Sequence, residues 1–255
     1  MPWTLAHPAA VIPIRLITKK LPLPALIIGS LTPDAGYYIK AFAFANQAHT
    51  WVGLVSHCLP VGLVLLIIIL LLRQAFLVLL PATHRLALSA TYANAPKLSG
   101  SYIFCVMLAL VLGAATHIIW DSFTHASSDL LSKEIMFYLQ DRAIRWYNLL
   151  QFASSLLGTL VLVSYYIRWL SKQPPHDLKL LDRWEKHRYV WLFILAGSAL
   201  FYGFLVTDYF SQEAIPFYRI YFHWILNSSL FFALAYLVSS LIAYGFHLHY
   251  NQADD

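Results

Sequence analysis

The sequence predicts an all-α fold, a polytopic helical membrane bundle of about five transmembrane helices with an N-terminal re-entrant or interfacial segment. Two observations predict it. Hydrophobic residues make up 60% of the 255-residue chain and charged residues only 11%, proportions foreign to an ordinary water-soluble domain of this length. The apolar residues also fall in runs that reach the ~20 residues a helix needs to cross a bilayer. The chain reads as a single membrane domain over residues 1–255.

Residues 1–50 hold no span. LPLPALIIGSL, from Leu21 to Leu31, is too short to cross and is broken by Pro22 and Pro24, so it reads as a re-entrant or surface-lying piece packed on the bundle. The N-terminus, MPWTLAHPAAVIPIRL, lacks a basic region ahead of its apolar residues, unlike a cleavable signal peptide. Five spans follow, at about 51–72, 101–120, 146–170, 189–210 and 220–246. Trp51, Trp120, Trp146, Tyr147, Trp169, Tyr189, Trp191 and Tyr221 lie near their ends, where amphipathic rings prefer the headgroup zone. Thr83–Gly100, with His84, Arg85 and Lys97, reads as a polar, proline-containing loop. The links carry a sidedness signal. Arg168, Lys172, Lys179, Arg183, Lys186 and Arg188 cluster between the third and fourth spans, which places that link in the cytoplasm and residues 1–50, 121–145 and 211–219 outside. The margin is narrow: eight Lys and Arg fall outside and nine inside, together the 17 of the chain.

Cys58 and Cys105 fall inside predicted spans and read as small apolar packing residues, with no disulfide framework. The formal charge of +5 needs no nucleic-acid partner, since basic residues beside a membrane have the bilayer itself as partner. Gln151, Ser154 and Ser155, with Gly158, read as a helix-packing patch, as do Asn227, Ser228 and Ser229. His176 and Asp177 follow two prolines and read as solvated turn residues. His247 and His249 are two apart and would diverge on a helix.

The segment GAATHIIWDSFTH sets His117, Asp121 and His125 four residues apart at the end of the second span. On a helix these positions share one face within roughly 80° of arc. An ionisable pair at the apolar boundary is costly unless paired or metal-bound; Asp121 serves either as a ligand or as an acceptor for a histidine. Because consecutive spans alternate in direction, the end of the second span and the start of the first emerge on the same side. His7, Asp34 and His49 are delivered there too. Taken singly, His7 reads as a surface histidine or a ligand, Asp34 as a turn residue beside Pro33 and Gly36 or a ligand, and His49 as an interfacial histidine or a ligand. His57 lies two turns beyond His49 on the same face, reading as a hydrogen-bonded bundle histidine or an inward extension of the cluster.

From MPWTLAHPAAVIPIR through LPALIIGSLTPDAGYY, AHTWVGLVSHCLPVGLVLL and LGAATHIIWDSFTH to LLQFASSLLGTLVLVSYYIRWL, roughly residues 1–170, the chain resembles the uncharacterised integral-membrane family called domain of unknown function 4184. That resemblance implies a bacterial multi-span helical protein of the cell (inner) membrane, with the site face extracytoplasmic by the charge rule above. The order His, Pro-Asp, His, then Gly-x-x-x-His-x-x-x-Asp with a later His is more distantly similar to inner-membrane metal-dependent hydrolases and zinc-dependent phospholipase C. By that resemblance Asp34, His49, His117 and Asp121 bind one metal, and His7 and His125 are further ligands. The downstream acidic ligand of that pattern has no clear counterpart, with Asp129 and Glu134 both open.

Two imidazoles and two carboxylates suit zinc, or Mn²⁺ or Fe²⁺, as one or two ions. The expected function is therefore metal-dependent hydrolysis of a phosphoester or lipid-type substrate at the membrane face. The alternatives are a transporter or proton relay with His57, His117 and Asp121 along a pathway, and a non-catalytic scaffold. The geometric expectation is that Asp34, His49, His117 and Asp121 converge on one point with bonds of ~2.0–2.2 Å.

Overall fold

A computed structural model describes residues 3–93, 96–124, 136–139, 142–173, 185–210 and 217–253; at 136–139, 142–145, 208–210, 217–219 and 247–253 it describes the backbone alone. Among the described residues five helices are long and apolar enough to cross a membrane: Leu54–Leu71, Gly100–Thr124, Trp146–Leu170, Glu185–Thr207 and Ile220–Phe246. The predicted multi-pass, all-α architecture is present. One addition is a small antiparallel ribbon, β1 (Met136–Leu139) with β2 (Arg142–Arg145), which pairs Met136 with Arg145 and Leu139 with Arg142. Packing divides the chain into two compact units, Met1–Ile68 with Lys97–Ile167, and Ile69–Pro96 with Arg168–Asp255.

In the first unit an N-terminal arm begins with a 3₁₀ segment, Thr4–Val11, followed by α1 (Ile12–Ile17). Next come α2 (Leu23–Leu31), a 3₁₀ turn at Thr32–Asp34, α3 (Ala35–Tyr38) and α4 (Phe42–Ala48). Pro24 starts α2 because its fixed φ suits a first turn and its missing N–H costs nothing there. A π turn, Leu54–Cys58, leads into α5 (Leu59–Leu71). Pro60 explains the widened turn: its ring would clash with the carbonyl of Ser56, four residues back, in a regular α-helix. The break at Thr50–Gly53 also corrects the placement of His57. It is not on one helix face with His49; it bonds to Ser56 Oγ at 2.8 Å and packs edge-on against Phe44.

The second span is α8 (Gly100–Thr124), and its buried residues form one helical stripe: Val106, Ala109, Leu110, Gly113, Ala114, His117, Asp121 and Thr124. Lipid tails are as apolar as the helices, so close backbone contact must hold such an interface. Gly29 of α2 and Gly113 of α8 supply it, for a Cβ at Gly29 would overlap the Leu110 carbonyl and one at Gly113 the Leu26 carbonyl. Leu21–Leu31 is thus packed on the bundle as expected, directly along the second span. Ala48, Leu54, Cys58 and Ala114 close a second small contact, bringing the end of α4 to α8.

The third span, α9 (Trp146–Leu170), braces this unit with the patch noted in sequence. Gln151 Nε2 donates to Thr124 O at 2.8 Å, and Ser155 Oγ accepts from Trp3 N–H at 2.8 Å. Gly158 faces the Ala6 carbonyl.

The second unit contains α6 (Arg73–Val78), α7 (Ala82–Ala93), α10 (Glu185–Phe210) and α11 (Phe217–Ala253). Helix α7 corrects the loop expected from Thr83: ATHRLALSATYA is rich in Ala and Leu, good helix formers, and follows Pro81. Its first-turn N–H at Ala82 is satisfied by Glu185 Oε1 at 2.8 Å. Gly203 of α10 leaves room for Ser228 of α11, and Tyr236 Oη donates to Phe76 O at 2.6 Å.

The Gly29–Gly113 crossing generates a testable expectation. Gly29→Ala and Gly113→Ala should each destabilise the protein by about 1–3 kcal/mol through overpacking, read as a lowered thermal midpoint in detergent. Gly100→Ala, whose added methyl would meet nothing within 4 Å, should melt like wild type.

Candidate metal centre

The crossing that joins α2 to α8 also orients the first donor. It sets the Ser30 carbonyl 2.7 Å from His117 Nδ1, and since a carbonyl only accepts, Nδ1 carries the proton. His117 Nε2 is thereby aimed the other way, buried and without a hydrogen bond. His49 is fixed by the same device. It is the C-cap residue of α4, and its Nδ1 donates at 2.7 Å to Ala45 O, which also accepts the His49 backbone N–H at 3.1 Å. Its Nε2 is likewise buried with no hydrogen-bond partner.

Asp34 ends the 3₁₀ turn that follows α2. Its Oδ2 accepts from Thr4 Oγ1 at 2.6 Å, and its Oδ1 is buried without a hydrogen bond. Asp121 lies one turn past His117 on the buried stripe. The four donor atoms form a closed ring of alternating nitrogen and oxygen. His49 Nε2 stands 3.4 Å from Asp34 Oδ1 and 3.5 Å from Asp121 Oδ2, and His117 Nε2 stands 3.5 Å and 3.3 Å from the same two oxygens. Two donors on a tetrahedral zinc with bonds of ~2.0–2.1 Å are about 3.3–3.4 Å apart. Donor atoms of His49, His117 and Asp121 all lie within 4.8 Å of one another, and this mixed nitrogen and oxygen set suits a divalent cation.

His7, expected as a further ligand, lies one layer out. Its ring stacks on His117 with centroids 3.7 Å apart and 10° between planes, and its Nε2 is 3.2 Å from Asp121 Oδ1, the oxygen that faces away from the ring. Donor atoms of His7, Asp34 and His117 also fall within 4.8 Å of one another. His125, Asp129, Glu134, His176 and Asp177 lie outside the described residues, and of His247 and His249 only the backbone is described.

Exposure is graded around the ring. The side chains of His117 and Asp34 are 0% and 1% exposed, Asp121 9% and His49 20%, so the donors are reached past His49. Tyr37 stands beside His49, its ring 5.8 Å from the His49 ring. Sequence reasoning missed Tyr37, the Thr4 hydroxyl and the Ser30 and Ala45 carbonyls. A further signal was legible and went unread: Asp34 and Asp121 are the only Asp or Glu among residues 1–128.

The charges support one another. Burial pushes the Asp34 carboxyl up, but His117, His49 and His7 outweigh it and hold it well below the usual carboxylate range. Burial pulls the His49 imidazole down, and Asp121 and Asp34 override that, raising it to about 9. Burial, then Asp34 and Asp121, push the Tyr37 phenol up.

The raised His49 pKa sets a pH expectation for chelator-treated protein. A group raised in the folded state contributes stability that is complete below its unfolded pKa of ~6.5 and is lost as pH climbs through the folded value of about 9. The thermal midpoint of metal-free protein should therefore fall between those limits. Cation affinity should rise over the same window, because binding must displace that proton. Melts at several pH values with chelator or with zinc check both trends.

The comparisons with known proteins add no chemistry to this arrangement. No curated protein and no solved structure matches the chain. A family model described as a domain of unknown function, DUF4184, matches residues 1–246, extending past the residues 1–170 that carry the resemblance in sequence and taking in both last spans. The chain belongs to the DUF4184 family.

Proposed function

We propose that this chain is a membrane-bound hydrolase that uses a divalent cation, zinc first among the candidates, to cleave a phosphoester or lipid-type substrate at the membrane face. The single observation that carries the reading is the ring of Asp34, His49, His117 and Asp121, whose sides are 3.3–3.5 Å. A buried carboxylate without compensation costs several kcal/mol, and two of them facing two imidazoles over one point have a ready compensation in a shared cation. A cation held there acts as a Lewis acid and lowers the pKa of a coordinated water toward ~7, which supplies a nucleophile at neutral pH. His7 orients Asp121 from behind, its Nε2 3.2 Å from Asp121 Oδ1.

Two features bear on the substrate. Close to His49 in sequence, Phe42, Trp51 and Val52 are 58%, 64% and 78% exposed, apolar surface suited to a molecule with hydrocarbon chains. Arg15, Lys19, Lys20 and Lys40 belong to a stretch whose one acid is the buried Asp34, a balance suited to an anionic substrate. The inferred setting is the bacterial inner membrane, with the ring on the extracytoplasmic side.

In the two spans next to the ring the ionisable groups are confined to one end, which favours a hydrolase over a transporter or proton relay. Residues 100–116 of α8 contain no Asp, Glu, His, Lys or Arg, and neither do residues 58–72. A relay needs polar groups at the midplane and beyond, and His57 sits apart from the ring.

Purified full-length protein in detergent should retain a stoichiometric divalent ion by elemental analysis. His117→Ala should lose that ion, together with any hydrolysis of phospholipids or soluble phosphoesters measured in parallel. Wild-type protein purified without chelator and left with substoichiometric metal after zinc supplementation would refute the proposal.

A further inference from the structure

A metal-ligating carboxylate works best when its second oxygen is held, because the hydrogen bond fixes which oxygen faces the ion and at what angle. In this chain the hold on Asp34 comes from the N-terminal arm, and the arm is in turn held by the third span. Thr4 Oγ1 donates to Asp34 Oδ2 at 2.6 Å, with both residues buried, leaving Oδ1 for the ring. One residue earlier, Trp3 N–H donates to Ser155 Oγ at 2.8 Å, and Ser155 Oγ donates to Gln151 O at 2.7 Å, one turn back along α9. Gly158, one turn on, lets the Ala6 backbone lie against the helix.

We infer that Thr4 is a positioning residue for the metal centre, fixing Asp34 through its hydroxyl, and that Ser155 anchors the arm that carries it. The inference rests on the reading of the ring as a cation site. Neither residue supplies an atom of the ring. The third span, which contributes no donor to the ring, thereby sets its geometry through two hydrogen bonds and one close backbone contact. Threonine suits the task because its β-branched side chain has few rotamers and, at the first position of the 3₁₀ segment, is buried where no water competes for the carboxylate.

The test compares zinc affinity, by competition with a chromophoric chelator, and the visible spectrum of the cobalt-substituted protein, for full-length wild type, Thr4→Val, Thr4→Ser and Ser155→Ala. Thr4→Val keeps the shape and removes the donor. It should weaken zinc binding about 10- to 100-fold, the usual effect of losing such a support, and should shift the cobalt bands, which report ligand geometry. Thr4→Ser, which restores a hydroxyl, should return both readouts toward wild type. Ser155→Ala changes no atom of the ring or of Thr4, and should move both readouts in the direction of Thr4→Val by a smaller amount. It also carries the test alone if Thr4→Val fails to fold. Wild-type affinity and spectrum in Thr4→Val, or the same loss in Thr4→Ser as in Thr4→Val, would overturn the positioning role while leaving the metal centre in place. A wild-type protein that binds no zinc removes the premise and this inference with it.

Discussion

The approach of α2 to α8 at Gly29 and Gly113 is the constraint on which the rest of the first unit depends. Within a bilayer no hydrophobic force drives one apolar helix onto another, so contact comes from shape and from polar groups that have no water to turn to. Two glycines facing one another bring backbone against backbone. That closeness has a chemical product: the Ser30 carbonyl reaches the ring of His117 across 87 residues of sequence. A side chain at either glycine would separate the helices, and His117 would lose the acceptor that sets its tautomer.

The same crossing explains how two carboxylates and three imidazoles are tolerated in so apolar a chain. Each member of the cluster has its outward atom tied to something fixed. His117 is tied to Ser30, His49 to Ala45, Asp34 to Thr4, and Asp121 to His7. The inward atoms are then left facing one another at 3.3–3.5 Å. The arrangement is one in which outer groups spend their hydrogen-bonding capacity on orientation. The small residues Ala48 and Ala114, packed between α4 and α8, add the last requirement by letting His49 come within reach of His117.

Much of this was legible in sequence, for reasons that differ by residue. The five spans follow from length and hydropathy alone, because the bilayer imposes both. His117 and Asp121 share a helix face by periodicity, and alternation of the spans places Asp34 and His49 on the same side without any knowledge of packing. What could not be read was contact between distant segments. Nothing in LAHPAA says that His7 will stack on His117, and nothing in MPWTLA says that Thr4 will reach Asp34, since both depend on how the arm folds back over α2 and α8. His57 was misplaced for a local reason: a continuous helix was assumed through a stretch that Gly53 and Pro60 interrupt. Residues 82–93 were misread because polar and proline residues at its borders masked an alanine-rich helix. The scarcity of acids before residue 129 was the strongest unread signal, since a chain that keeps only Asp34 and Asp121 over that distance has little other use for negative charge there.

The remaining question is whether four protein donors leave room for chemistry, because closed four-coordinate zinc sites are structural and catalytic ones keep a position open. The ring is not equally closed on all sides. His117 and Asp34 are sealed by α2 and the arm, and Asp121 is backed by His7, whereas the His49 side chain is 20% exposed. An ion serving only to hold helices together would gain from enclosure at every donor, and the cost of exposing one edge would bring nothing in return. Greater exposure at a single donor, with the Tyr37 ring 5.8 Å from that of His49, is instead what an incoming fifth ligand would require. His49 also caps the short α4, just before the break at Thr50–Gly53, and is the donor least constrained by a long helix. In the proposed metal centre it would therefore be the donor best able to yield as coordination expands, with Asp34, His117 and Asp121 forming the more deeply buried base.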